Sequence, residues 1–208
     1  MNRLNRWARR VPTGVVYFGG LIPLVWIVWL TVAGTIGADP VKEIEHRLGL
    51  LGLQFLLASL CVTPLRWGGL NLLKFRRALG LLTFLYVALH LVAWIVLDMG
   101  LRWSEMGADL VKRPYIIVGM LGFLALVPLA VTSNRASIRA MGAGWGRLHR
   151  LAYAAVLLGA LHFLILVKAW PAEPILYTAG AVLLVAARPV HRAWKRREKR
   201  VATAVRAG

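Results

Sequence analysis

The chain of 208 residues contains one cysteine, Cys61, and eight acids against 26 Lys and Arg. A lone cysteine excludes an intramolecular disulfide, a cysteine-ligated zinc and an iron–sulfur cluster, so any metal must be held by histidine or oxygen. Charged residues of either sign make up only 16% of the chain, where a soluble domain carries roughly a quarter. With 59% hydrophobic residues and a mean hydropathy of +0.67, that scarcity excludes a disordered chain and argues against a water-soluble core. The formal charge of +18 does not point to nucleic acid, because the basic residues lie between long apolar runs. The composition predicts an all-α, polytopic membrane protein.

Crossing a hydrocarbon core of about 30 Å takes ~20 mostly apolar residues in a helix. Six runs qualify, over 15–32, 49–64, 79–97, 115–131, 148–167 and 174–187, and they predict a bundle of six transmembrane helices in one domain spanning 1–208. The second and sixth runs need their flanking residues to span. Trp26, Trp29 and Pro23 in the first run fit a retained span better than a cleaved secretory signal. Lys and Arg gather in cytoplasmic loops. The two tails and the second and fourth loops hold twenty basic residues against one acid, Glu198, whereas the first, third and fifth loops hold six basic residues and seven acids. Both termini are therefore expected in the cytoplasm, with a basic tail over 188–208 on anionic lipid.

Ionisable groups inside a span are costly and so are functional candidates. No Asp or Glu falls inside the runs, which argues against a proton-relay carrier; the histidines remain. His90 has no charge within seven residues, and His162 falls late in a run of opposite direction, at a similar depth from the outer surface. Two facing imidazoles can ligate a low-spin haem iron suited to electron transfer. They can equally be hydrogen-bonded core histidines of a transporter or scaffold, and spacing alone leaves both readings open. His149 opens the fifth run, thirteen residues before His162, or about 20 Å along an ideal helix. Those steps leave the two side chains roughly 140° apart. No second histidine occurs on the third run, where Arg76 and Arg77 occupy that depth. His46 reads as a polar interfacial cap and His191 as a solvated residue of the basic tail. Tyr86, Trp94, Tyr153 and Phe163 read as helix packing. The glycine-rich stretch 142–146 lacks a dinucleotide fingerprint and reads as a flexible loop.

Several stretches carry a resemblance in their order and spacing. They are Gly37-Ala38-Asp39-Pro40-Val41-Lys42, Arg76-Arg77-Ala78-Leu79-Gly80 leading to Leu89-His90, and Lys112-Arg113-Pro114-Tyr115. Then follow Thr132-Ser133, the run from Trp145 through His149 to Tyr153, and His162. On these the chain resembles the ferric reductase-like transmembrane family and, within it, the MsrQ (YedZ) family of haem-binding membrane subunits. The resemblance implies a b-type haem protein of the bacterial inner membrane with one or two haems, and it marks His90, His149 and His162 as the iron-ligating positions. Relatives with two full haem pairs carry two histidines on the third span, and this sequence has one, so the outer pair follows by analogy and the inner ligand set does not. The resemblance further implies FMN and a periplasmic molybdenum-cofactor subunit that reduces methionine sulfoxide in oxidised proteins. The chain would be an electron-transfer subunit with no catalytic residue of its own. With only positions 188–208 after the last run, electrons are expected from a membrane quinol or a separate flavin reductase. The alternative is a stand-alone ferric or cupric reductase of the same fold.

Overall fold

The computed structural model describes residues 2–167 and 171–207; Lys168, counted above among the loop charges, lies outside them. The described residues are mostly helical, with short connections and no strand. The helices are α1 (Asn2–Arg10), α2 (Thr13–Val32), α3 (Pro40–Trp67), α4 (Arg76–Ala93) and α5 (Trp103–Lys112). They continue as α6 (Pro114–Val131), α7 (Arg135–Met141), α8 (Ala143–Leu148), α9 (Leu151–Leu166) and α10 (Ala172–Ala207). A short 3-10 turn, Leu73–Phe75, leads into α4, and a π-helical turn, Trp94–Asp98, follows it. Six helical stretches are long and apolar enough to cross a bilayer: Thr13–Val32, Pro40–Trp67, Leu73–Asp98, Pro114–Val131, Ala143–Leu166 and Ala172–Glu198.

These stretches match the six predicted runs in order and differ at their ends. The second begins at Pro40 rather than residue 49. Asp39 caps it, its Oδ1 accepting from the Lys42 N–H at 3.2 Å, and Pro40 occupies the first turn, where a missing N–H costs nothing. Glu43 and Arg47, one turn apart and paired at 2.7 Å, carry the helix through its polar beginning. The sixth helix continues without a break through the basic tail to Ala207. The stretch 142–146, expected as a flexible loop, is instead largely helical. Gly142 takes φ of +49°, which ends α7 and lets α8 start at once.

The bundle is built from two antiparallel hairpins, α3 with α4 and α6 with α9, which are its most extensively packed pairs. Helix α2 packs on the first and α10 on the second. Leu53, Leu56 and Leu60 of α3 form one core with Leu126 and Leu129 of α6, Val156 and Ala160 of α9, and Ala181 of α10. A second core joins Ile27 of α2 to Leu48 of α3 and to Leu82 and Tyr86 of α4. Tyr86 is fully buried, and its hydroxyl donates to the Gly20 carbonyl of α2 at 2.6 Å. Phe18, Ile22, Val25 and Trp29 of α2 face outward, as an apolar surface can when lipid is the solvent.

Arg188, the first residue of the stretch expected as a basic tail on anionic lipid, is only 5% exposed and so belongs to the bundle rather than to a surface tail. Pro64 has no N–H to give the Leu60 carbonyl one turn earlier in α3. A carbonyl left unpaired away from water costs about 1–3 kcal/mol, and Arg188 Nη2 donates to this one at 3.0 Å. The guanidinium also donates to Leu184 O in its own helix and lies 4.7 Å from the Tyr153 ring centre.

Candidate haem site

His90 stands near the end of α4, where its side chain faces α3. Its Nδ1 lies 2.8 Å from the backbone carbonyl of Glu45. A carbonyl only accepts, so Nδ1 carries the proton in the neutral ring and Nε2 keeps its lone pair. His162, on α9, repeats the arrangement against α6, with Nδ1 2.7 Å from the Tyr115 carbonyl. A hydrogen bond on the far nitrogen is how proteins orient an imidazole for metal binding.

Glycine makes each approach possible. A Cβ at Gly49, one turn after Glu45, would lie 3.2 Å from His90 Nδ1 and 3.3 Å from Cε1. A Cβ at Gly119, one turn after Tyr115, would lie 2.8 Å from His162 Nδ1 and 3.0 Å from Cε1.

The structure brings His90 and His162 together: their ring centres are 6.2 Å apart and their planes are inclined at 77°. An imidazole nitrogen binds a first-row metal at about 2 Å and the ring centre lies ~1.1 Å behind it, so two rings on one metal have centres about 6 Å apart. The observed spacing therefore fits one metal between the two rings. Among the described residues no group of three or more His, Cys, Asp and Glu could hold a metal by itself. Two neutral imidazoles without further protein donors fit a macrocycle that supplies the equatorial ligands, and haem is that kind of group. Phe84 of α4 and Phe123 of α6 stack at 5.7 Å about 9 Å deeper in the bundle and close the space between those helices.

The other histidines are placed differently. His46 is exposed at the start of α3, its ring 5.7 Å from Phe163. Phe163 in turn lies 6.2 Å from Tyr177, whose hydroxyl accepts from Gln54 Nε2 at 2.6 Å. His191, expected to be solvated, is half-buried and stacks on Trp67 with ring centres 4.0 Å apart. His149 sits in the turn between α8 and α9, stacked on Trp145 at 3.8 Å, with Nε2 3.0 Å from Thr132 Oγ1. The Thr132 hydroxyl already donates its one proton to the Pro128 carbonyl at 2.6 Å. His149 Nε2 must therefore be the donor, which leaves Nδ1 with the lone pair, the reverse of His90 and His162. Trp145 braces the turn by donating from Nε1 to the Thr132 carbonyl at 3.0 Å. Among the described residues no ring contact joins His149 to another histidine.

Four participants escaped the sequence reading: the Glu45 and Tyr115 carbonyls, Gly49 and Gly119. Matching depths across neighbouring helices would have set each glycine opposite its histidine; nothing marks a carbonyl.

Comparison with known proteins agrees with this architecture. Residues 46–160, which include His90 and His149, match the family described as ferric reductase like transmembrane component. Relatives from Brucella ovis, Brucella canis and Brucella suis carry the name protein-methionine-sulfoxide reductase heme-binding subunit MsrQ. Each is 49% identical over 172 residues, which cover 82% of this chain and 78% of the relative. On the family match, the identity and the coverage together, the chain is a multi-pass membrane protein that belongs to the ferric reductase-like transmembrane family and, within it, to the MsrQ family.

Proposed function

We propose that this chain is the membrane electron-transfer subunit of a protein-methionine-sulfoxide reductase system and that His90 and His162 hold the iron of one b-type haem near the outer face. The observation that carries the reading is the facing pair of imidazoles 6.2 Å apart, each with Nδ1 engaged by a backbone carbonyl. Haem, when bound, supplies a one-electron carrier in a medium where none of the amino acids can serve as readily. The chain's own part is to present two Nε2 lone pairs, to keep both rings from rotating, and to keep bulk water from them with α3, α4, α6 and α9. With both imidazoles taken up in holding the iron, the haem they would hold would supply electron transfer rather than oxygen chemistry.

The loop charges support an orientation with both termini in the cytoplasm of a bacterial inner membrane, and hence His90 and His162 on the periplasmic side. Electrons then enter from a membrane quinol or a separate flavin reductase and leave to a periplasmic molybdenum-cofactor subunit. FMN belongs to this reading by family resemblance alone. A second haem at the inner end would use His149, through Nδ1 or after Thr132 releases Nε2.

The test is a reduced-minus-oxidised visible spectrum of the purified chain with each histidine replaced singly by Ala. Loss of the low-spin signal in His90→Ala and in His162→Ala is expected. A wild-type chain that takes up no haem, or a His90→Ala variant with the full signal, overturns the reading. Reduction of an external ferric chelate by the chain alone, at a rate a partner does not increase, would instead favour a stand-alone reductase.

A further inference from the structure

The two histidines are held by the same device. In α3 the carbonyl at Glu45 accepts from His90 Nδ1, and the residue one turn on is Gly49; in α6 the carbonyl at Tyr115 accepts from His162 Nδ1, and the residue one turn on is Gly119. A helical carbonyl is already bonded to the N–H one turn later, and a side chain there would stand over its second lone pair. With glycine the second lone pair is open to a neighbouring helix. The ring then lies against the glycine, its Nδ1 and Cε1 so close that a methyl group there would touch them.

We propose that Gly49 and Gly119 are positioning residues of the haem site: by leaving the Glu45 and Tyr115 carbonyls uncovered, they set the tautomer and rotation of His90 and His162, so that both Nε2 lone pairs face one iron. The proposal rests on the reading of His90 and His162 as iron ligands and adds a role for residues that have no side chain with which to ligate iron. The two clasps are unequal. At Gly119 a Cβ would fall 2.8 Å from Nδ1, a distance at which the ring must move off its carbonyl; at Gly49 the figure is 3.2 Å, and a shift of a few tenths of an ångström relieves it. The damage from Ala is therefore greater at position 119 than at position 49.

Neighbouring glycines supply the controls. A Cβ at Gly122, in the same helix as Gly119, meets only Leu158 Cβ at 3.5 Å and backbone atoms farther off, an ordinary contact. A Cβ at Gly80, in the helix that carries His90, meets nothing within 4 Å, so Gly80→Ala changes a glycine of α4 without a clash.

The experiment measures haem affinity and the ferric electron paramagnetic resonance spectrum of Gly119→Ala, Gly49→Ala, Gly122→Ala and Gly80→Ala in the full-length protein. Monodispersity before haem addition reports folding. Gly119→Ala is expected to lose the bis-imidazole low-spin signal or to bind haem about 10- to 100-fold more weakly, the usual effect of losing a group that orients a ligand. Gly49→Ala should show a smaller change of the same kind, and Gly122→Ala and Gly80→Ala should keep the wild-type spectrum. A Gly119→Ala protein with wild-type affinity and spectrum overturns the proposal, as does equal damage from Gly122→Ala. Should Gly119→Ala fail to fold, 15N resonance of the haem-free wild type decides: His90 and His162 protonated on Nδ1 sustain the proposal, and protonation on Nε2 overturns it. A spectrum that survives His162→Ala would defeat the ligand reading itself, so the two failures are distinguishable.

Discussion

Arg188 of α10 donates to the carbonyl of Leu60 in α3 at 3.0 Å, at the place where Pro64 deprives that carbonyl of its helical partner. A buried cation, a proline and an orphan acceptor on two helices thus form one unit that locks α10 to α3. Tyr153 of α9 adds its ring face to the guanidinium, so three helices meet there.

The unit predicts a coupling. Arg188→Met leaves the Leu60 carbonyl unpaired, at a cost of about 1–3 kcal/mol. Pro64→Ala restores an N–H to the same carbonyl. In the double variant the cost of losing Arg188 should therefore shrink, by on the order of 1 kcal/mol. Thermal midpoints of the wild type, both single variants and the double variant in one detergent measure the coupling. Strict additivity would mean that Arg188 does not serve that carbonyl.

His149 offers a second prediction. Its Nε2 donates to Thr132 Oγ1, whereas the free lone pair on His90 and His162 is on Nε2. Thr132→Val keeps the branched shape and removes the acceptor. The low-spin signal that depends on His90 and His162 should be unaffected by Thr132→Val and by His149→Ala. Any component of the spectrum that His149→Ala abolishes should shift in Thr132→Val, because the ring loses its anchor. A His90-dependent signal that falls with either substitution would mean that the two ends of the bundle share one site.

How much of this was readable beforehand follows from what each feature demands of its residues. Six spans could be read because a bilayer requires a long apolar run, and no pattern in loops or soluble cores imitates that. Their ends could not, because Asp39 and Pro40 start α3 by capping chemistry in a segment too polar to count as a run. Buried histidines stand out in a sequence; the carbonyls of Glu45 and Tyr115 do not, since every residue has one. Gly49 and Gly119 were hidden among 20 glycines, which are frequent in membrane helices for packing alone. Arg188 was assigned to the tail because charge counts carry no information about depth, and the glycines at 142, 144 and 146 disguised α8 as a loop.

The beginning of α3 connects the loop after α2 to the candidate site. The Asp39 carboxylate pairs with Lys42 Nζ at 2.7 Å, and its Oδ1 accepts from the Lys42 N–H, which together hold the Asp39 carboxyl below its usual pKa. A depressed carboxylate contributes stability above its unfolded pKa and loses it as pH falls through the folded value. The first turn of α3 should therefore loosen only under acidic conditions, below the ordinary carboxylate range near pH 4. Because Glu45 lies in the second turn, Asp39→Ala should speed hydrogen exchange over 41–45 at neutral pH and broaden the His90-dependent signal. Asp39→Asn, which keeps an N-cap oxygen, should do neither. Equal exchange in wild type and Asp39→Ala would show that the cap does not hold the turn.

Orientation is testable with the chain's own scarcity of cysteine. Cys61 lies in α3 inside a span, so Cys61→Ala provides a background in which introduced thiols report alone. Gly107 of α5 is exposed, and a Cβ there meets nothing within 4 Å; Ala202 near the end of α10 is exposed as well. With twenty basic residues on the side of Ala202, the proposed orientation predicts Ala202 in the cytoplasm and Gly107 on the opposite side of the membrane. In intact cells Gly107→Cys should react with a membrane-impermeant maleimide, and Ala202→Cys should react only after the membrane is opened. The reverse pattern would put the His90–His162 pair on the cytoplasmic side. Electrons could then no longer reach a periplasmic acceptor from that pair, and the direction of flow proposed for this chain would have to be abandoned even if both histidines bind iron.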